Sequence, residues 1–105
     1  MKKIILIAIS LLSLNAFAVS TVSCDSIDGS AQVAMQISST DKVSSVRLQK
    51  NNASVQSFSA RFIKTSNNVS VYSLSGSSDL LRIDNTIVHY GYGRAQIGKL
   101  IFSCN

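Results

Sequence analysis

Ala31, Val33, Met35 and Ile37 fall on alternate positions, with Gln32 and Gln36 between them. A period of two is the signature of a half-buried β-strand, because successive side chains leave opposite faces of the pleat. Val46 and Leu48 repeat the pattern. Phe58, Ala60 and Phe62 repeat it again, with Ser59 and Arg61 on the other face, and Leu100, Phe102 and Cys104 alternate with Ser103 near the end. Cys104 is therefore expected to face inward.

Polar clusters separate these runs at intervals of roughly 8 to 12 residues, the spacing of short antiparallel strands. Asp28-Gly29-Ser30, Ser39-Thr40-Asp41, Asn51-Asn52, Ser66-Asn67-Asn68, Ser75-Gly76-Ser77-Ser78, Asp84-Asn85 and Gly91-Tyr92-Gly93 all read as turns. Two places break the alternation. Val69, Val71, Tyr72 and Leu74 switch faces within one run, and Ile97-Gly98 does the same; a β-bulge would account for each. Ile87-Val88-His89-Tyr90 reads as a further strand. The expectation is an all-β domain, a small antiparallel barrel or sandwich of about eight short strands. Strands this short, with so few aromatic residues, do not match a transmembrane barrel.

The chain's beginning has a different pattern. Lys2 and Lys3 precede an apolar run from Ile4 to Leu14, and Ala16 and Ala18 place small residues where a signal peptidase reads them. This order predicts a signal peptide over residues 1–18, cleaved between Ala18 and Val19, and a single secreted β-domain over 19–105. The apolar run has about 11 residues, whereas a membrane-spanning helix needs about 20. The expected location is periplasmic or extracellular. Lipidation of Cys24 is the rival processing route, but Thr21-Val22-Ser23 is a poor approach to a lipidated cysteine, and that route leaves Cys104 odd.

Export changes how composition reads. Loss of Lys2 and Lys3 lowers the formal net charge from +5 to +3. Cys24 and Cys104 are the two cysteines of the chain, near the two ends of the expected mature domain. In an oxidising compartment they are expected to pair and clasp the termini. A loop of about 80 residues closed in this way gains on the order of 4 kcal/mol in the chain-entropy account. The bridge also demands that the first and last strands come together.

Chemistry-bearing clusters are sparse. His89 is the sole histidine, and no serine sits in a Gly-x-Ser-x-Gly elbow. Ser39-Thr40-Asp41-Lys42 fits Ser-x-x-Lys, but in a polar turn between strands rather than at the start of a helix. Asp25, Asp28, Asp79 and Asp84 are explained as turn residues. No metal-ligand spacing or phosphate-binding loop is present, so no catalytic residue, metal or cofactor is expected. Tyr90, Tyr92 and Arg94, set around two glycines, would form a contact loop able to stack and to bind anions; the plain alternative is a glycine turn whose tyrosines cover the barrel end. Arg47, Arg61 and Arg82 would form a basic stripe if their strands are adjacent.

Size, export and a cysteine near the mature N-terminus are similar to the small periplasmic inhibitors of C-type lysozyme. Here Cys24 precedes Gly29 after an acidic stretch and Ser75-Gly76 lies mid-chain, but the Tyr and Trp pattern of that family is absent, so no inhibitory residue transfers. The expected function is that of a non-enzymatic exported binding module, envelope-associated or inhibitor-like. Its partner would be a protein or an anionic envelope polymer rather than nucleic acid, and its state a monomer. The alternatives are a small-ligand carrier with an open barrel interior and, behind it, a hydrolytic enzyme built on His89.

Overall fold

The computed structural model describes the backbone of residues 18–105 and the side chains of residues 20–105. The expected signal segment lies outside the described residues up to its last position, Ala18. Eight antiparallel strands close into a barrel in simple sequence order. They are β1 (Ala18–Ser26), β2 (Ala31–Ser38), β3 (Val43–Lys50), β4 (Gln56–Ser66), β5 (Val69–Leu74), β6 (Leu80–Asp84), β7 (Gly93–Ile97) and β8 (Leu100–Cys104). One helix, α1 (Asn85–Tyr90), lies between β6 and β7. No helix among the described residues is long and apolar enough to cross a membrane.

The alternating rows fill the barrel. Val33, Met35 and Ile37 of β2, Val46 and Leu48 of β3, Tyr72 and Leu74 of β5, Leu81 and Ile83 of β6 and Phe102 of β8 form one buried cluster. An eight-stranded barrel is just narrow enough for side chains to fill it. The choice between barrel and sandwich is thus settled by closure, and closure also removes the exposed strand edges that a sandwich keeps.

The seam is the pairing of β1 with β8. It has three register pairs, Cys24↔Cys104, Asp25↔Ser103 and Ser26↔Phe102. Cys24 and Cys104 are directly opposite and disulfide-bonded, with Cα atoms 4.1 Å apart. The two ends are therefore clasped as the sequence predicts. Cys24 also sits in mid-strand with its sulfur engaged, which leaves no thiol to carry a lipid. Cleavage after Ala18 would remove the Ala18↔Ser38 pair while leaving the register from Ser20 to Asp25 intact.

Up-and-down order sorts the connections between the two ends. The β2–β3 turn, the Asn67-Asn68 hairpin and α1 share one end. Asn67 and Asn68 both have positive φ, 54° and 65°, as a two-residue type I′ hairpin requires.

Three sequence expectations need correction. First, residues 85–90 are helical rather than a strand. Ile87 and Val88 favour strands, but one short helical turn lets Ile87 plug the barrel end, where it is buried, with Val88 packed beside it. Asp84-Asn85 accordingly ends β6 and starts the helix instead of forming a hairpin turn. Second, the irregularity expected in β5 falls on its partner. The register slips between Phe62 and Lys64 of β4, leaving Ile63 as the extra residue, while Ser70, Tyr72 and Leu74 keep strict alternation. Val69 and Val71 then lie on the outer face, where Val71 is nonetheless buried. Val71 lies in register between Lys64 and Arg82, whose aliphatic stems suit an apolar outer position.

Third, Gly98 makes no bulge. With φ +58° it opens the two-residue turn from β7 to β8, where a type II′ hairpin wants glycine. The inward row of β4 holds through Phe62, which is opposite Tyr72, but Phe62 lies where the barrel opens. β4 pairs with β3 only over Gln56–Ser59, so its far half splays from β3. Phe62 there is 39% exposed, edge-on to Tyr72 at 5.6 Å, with the Lys42 ammonium 4.9 Å from its ring centre.

Tyr72 ties this end together. Its hydroxyl accepts a hydrogen bond from the backbone N–H of Val43 at 3.1 Å, out of contact with water. Tyr72→Phe leaves that N–H unpaired and is expected to destabilise by about 1–3 kcal/mol. Burial raises the Tyr72 pKa above its ordinary value, against a smaller lowering by the Val43 bond. A folded-state pKa above the unfolded one means that the contribution is complete below the unfolded value and lost as pH rises through the folded value. Urea unfolding at a series of pH values should thus show wild-type stability falling from about pH 10 upward. The fall should be shallower in Tyr72→Phe; equal slopes would assign the alkaline loss to other groups.

Candidate functional site

The helix end of the barrel brings together the most exposed aromatic groups among the described residues. α1 ends at Gly91, whose N–H bonds the carbonyls of Thr86 and Ile87. That stop places Tyr90 as the last helical residue and Tyr92 just beyond it. Their rings stack, with centres 5.9 Å apart and planes 23° off parallel. His89 continues the row, its ring 6.2 Å from Tyr90 at a tilt of 59°. Tyr90 is 72% exposed and Tyr92 54%. Rings left this open add little to the burial of the core.

Gly93 holds the path from this platform into β7. Its φ is +144°, and a Cβ there would lie 2.6 Å from Thr86 Oγ1 and 3.1 Å from both Asp84 Cβ and Ile87 Cγ1. Only glycine lets the chain pass that close to α1. The following N–H, of Arg94, is held by Asp84 Oδ2 at 2.9 Å. The end of β6, the helix and the start of β7 are thereby fixed as one unit.

Three clefts surround the unit. The first, of about 270 Å³, is lined by Asn67, Asn68, Val69, Asp84, Asn85, Thr86, His89 and Tyr90. A second, of about 280 Å³, lies along the outer face of the sheet, with Arg82, Arg94, Gln96 and Ile101 around Val69 and Asp84. The third, of about 230 Å³, opens where β4 splays from β3; Asp41, Lys42, Thr65, Ser70 and His89 are among its walls.

His89 therefore meets Asp41 and Ser70 around one concavity, the grouping a hydrolase would need. The hydrogen bonds there run elsewhere. Ser70 Oγ donates its one proton to Asn85 Oδ1 at 2.5 Å, so the 3.0 Å contact with Thr65 Oγ1 must have Thr65 as donor. No hydrogen bond links His89 to Ser70 or Asp41 among the described residues. A nucleophile needs its base within hydrogen-bond reach, and here the serine proton belongs to an amide oxygen, which is no base. The Ser39–Lys42 segment is likewise a turn between β2 and β3, not the start of a helix.

The expected contact loop divides. Tyr90 and Tyr92 come together, while Arg94, in β7, lines the outer-face cleft. The three arginines of the expected stripe lie on β3, β4 and β6. All face outward, but Arg47 is opposite Ser57 and Arg61 lies four residues further along β4, on the order of 13 Å away. Arg61 pairs with Ser73, and β5 separates it from Arg82. The neighbour that Arg82 gains is Arg94. Arg82 is opposite Gln96, so Arg94 is its diagonal neighbour on the next strand, on the order of 7 Å away.

The amides of Asn67, Asn68 and Asn85 are the site residues that sequence reasoning missed. Asn67-Asn68 was legible as a turn, and only the fold carries that turn to Tyr90. Comparison with protein-family models, curated proteins and solved structures finds no match.

Proposed function

We propose that the chain is a non-enzymatic exported binding module that engages an anionic envelope component through the helix end of its barrel. The exposed Tyr90–Tyr92 stack carries this reading, since it commits two large rings to solvent beside a concave polar surface. The signal-like first 18 residues and the Cys24–Cys104 bridge support a periplasmic or extracellular setting. The net charge of +3 expected after cleavage favours an anionic partner over a cationic one. Met35, Val46, Leu81, Ile83 and Phe102 occupy the interior with no exposed surface, which favours recognition on the outside over carriage within.

The test is retention of the immobilised oxidised protein's partner from envelope extracts, compared with the Tyr90→Ala/Tyr92→Ala variant. Buried aromatic anchors commonly carry more than 1 kcal/mol of binding energy each, so retention should fall about tenfold or more. Thermal stability should hardly change, because exposed substitutions fall within about 0.5 kcal/mol. Equal retention by both proteins would remove the helix end from the contact, and no retention by the wild type would remove the reading.

A further inference from the structure

The tyrosine cleft and the arginine cleft share two walls, Val69 and Asp84. In register these residues are opposite each other, at the last pair of β5 and β6. The two clefts therefore adjoin across this pair, and taken together they form a trough from the Tyr90 ring past Val69 and Asp84 to Arg82 and Arg94. Along it the chemistry changes in order. An exposed aromatic face comes first, then the neutral amides of Asn67, Asn68 and Asn85 with the Thr86 hydroxyl, then an apolar floor, then two guanidinium groups. Neither guanidinium has a hydrogen-bond or ion-pair partner among the described residues.

We infer that this trough binds an acidic oligosaccharide, a chain of pyranose rings bearing carboxylates. This rests on the binding-module reading above and names its ligand. A sugar ring has an apolar C–H face that lies flat on an aromatic ring, and a rim of hydroxyls that each donate and accept. The amides of Asn67 and Asn68 offer both a donor and an acceptor to such a rim, and Asn85, whose Oδ1 is held by Ser70, offers its N–H groups. The carboxylate of Asp84 accepts from hydroxyls with its remaining lone pairs, Oδ2 being already engaged by the Arg94 N–H. It is also the one anionic wall of the trough, so it disfavours a carboxylate at the centre and leaves the acidic groups to the arginine end. Guanidinium matches a carboxylate in a two-bond fork. A nucleic acid would want charges interleaved with aromatics, whereas here they are segregated to opposite ends. A neutral glycan would leave both arginines without a partner.

The probe is a hexasaccharide of galacturonic acid, with its fully methyl-esterified form as the uncharged control. Both are titrated into the oxidised protein and followed by calorimetry and by amide resonances. The acid form is expected to bind at least tenfold tighter than the ester and to weaken as salt rises. Resonances of residues 67–69, 84–90 and 94–96 should move. Arg82→Gln/Arg94→Gln should bring the acid form down to the level of the ester, while Tyr90→Ala should weaken both forms about equally. Acid and ester binding alike, wild-type affinity in the double arginine variant, or shifts confined to other surfaces would overturn the assignment. So would no binding of either sugar. If envelope retention still depends on Tyr90 and Tyr92 in that case, the module reading stands and the glycan alone falls.

Discussion

Reduction of the Cys24–Cys104 bridge, or its replacement by two alanines, is expected to lower stability by about 4 kcal/mol. The bridge spans a sequence separation of 80, so in the unfolded chain it removes the freedom of nearly the whole domain. In the folded state it sits between directly opposed residues of neighbouring strands, and its loss disturbs little of the sheet. Its effect is thus expressed through the unfolded ensemble. For a domain of this size, about 4 kcal/mol corresponds to a fall in Tm of roughly 15–30 °C. Thermal melts with and without reductant, followed by far-ultraviolet circular dichroism, measure it directly. A fall of less than 5 °C would mean that hydrogen bonding and packing close the barrel unaided.

The expected address made that bridge legible. Two cysteines alone specify no pairing, but the export expected from the first 18 residues would make oxidation permissible, and pairing then required β1 and β8 to be neighbours. The strands were legible for a similar reason. Each has one face in the core and one outside, so burial writes a period of two into Ala31–Ile37 and Leu100–Cys104. Where that condition fails, the pattern misleads. Val69 and Val71 are apolar yet on the outer face, where Val71 is still buried between Lys64 and Arg82 of the neighbouring strands. Phe62 is apolar yet half outside, because β4 outruns its pairing with β3.

The helix was missed through a conflict of signals. Ile87 and Val88 are β-branched and carry strand propensity, and tertiary packing of Ile87 into the barrel end outweighs it. Caps could have revealed α1: Asp84-Asn85 in front and Gly91 behind bracket a segment of helical length. The site was legible only in its parts. Tyr90, Tyr92, Arg94 and Arg82 each stood out as residue types. Their order along one trough depends on the register of β5, β6 and β7, and no local sequence pattern encodes that register.

Phe102→Ala is expected to cost about 3–5 kcal/mol, and its effect should depend on the state of the bridge. Phe102 has no exposed surface and pairs with Ala95 on one side and Ser26 on the other. It is thus the large core residue of the closing seam, two positions from Cys104. That seam has three register pairs because β1 runs on past the end of β8. A domain of this size holds roughly 4–13 kcal/mol in total. With the bridge intact, the Phe102→Ala protein should remain folded, with a lowered urea midpoint. With the bridge reduced, the combined loss of about 7–9 kcal/mol should leave most molecules unfolded at 25 °C. A core residue away from the seam, Met35, provides the control: Met35→Ala removes comparable packing from β2, where seven register pairs to each neighbour hold the strand. If the cost of opening the barrel is concentrated at β1–β8, the loss on reduction should exceed the sum of the single effects for Phe102→Ala and equal it for Met35→Ala. Additivity in both would spread closure over the whole sheet, and the short seam would then be no weaker than the rest.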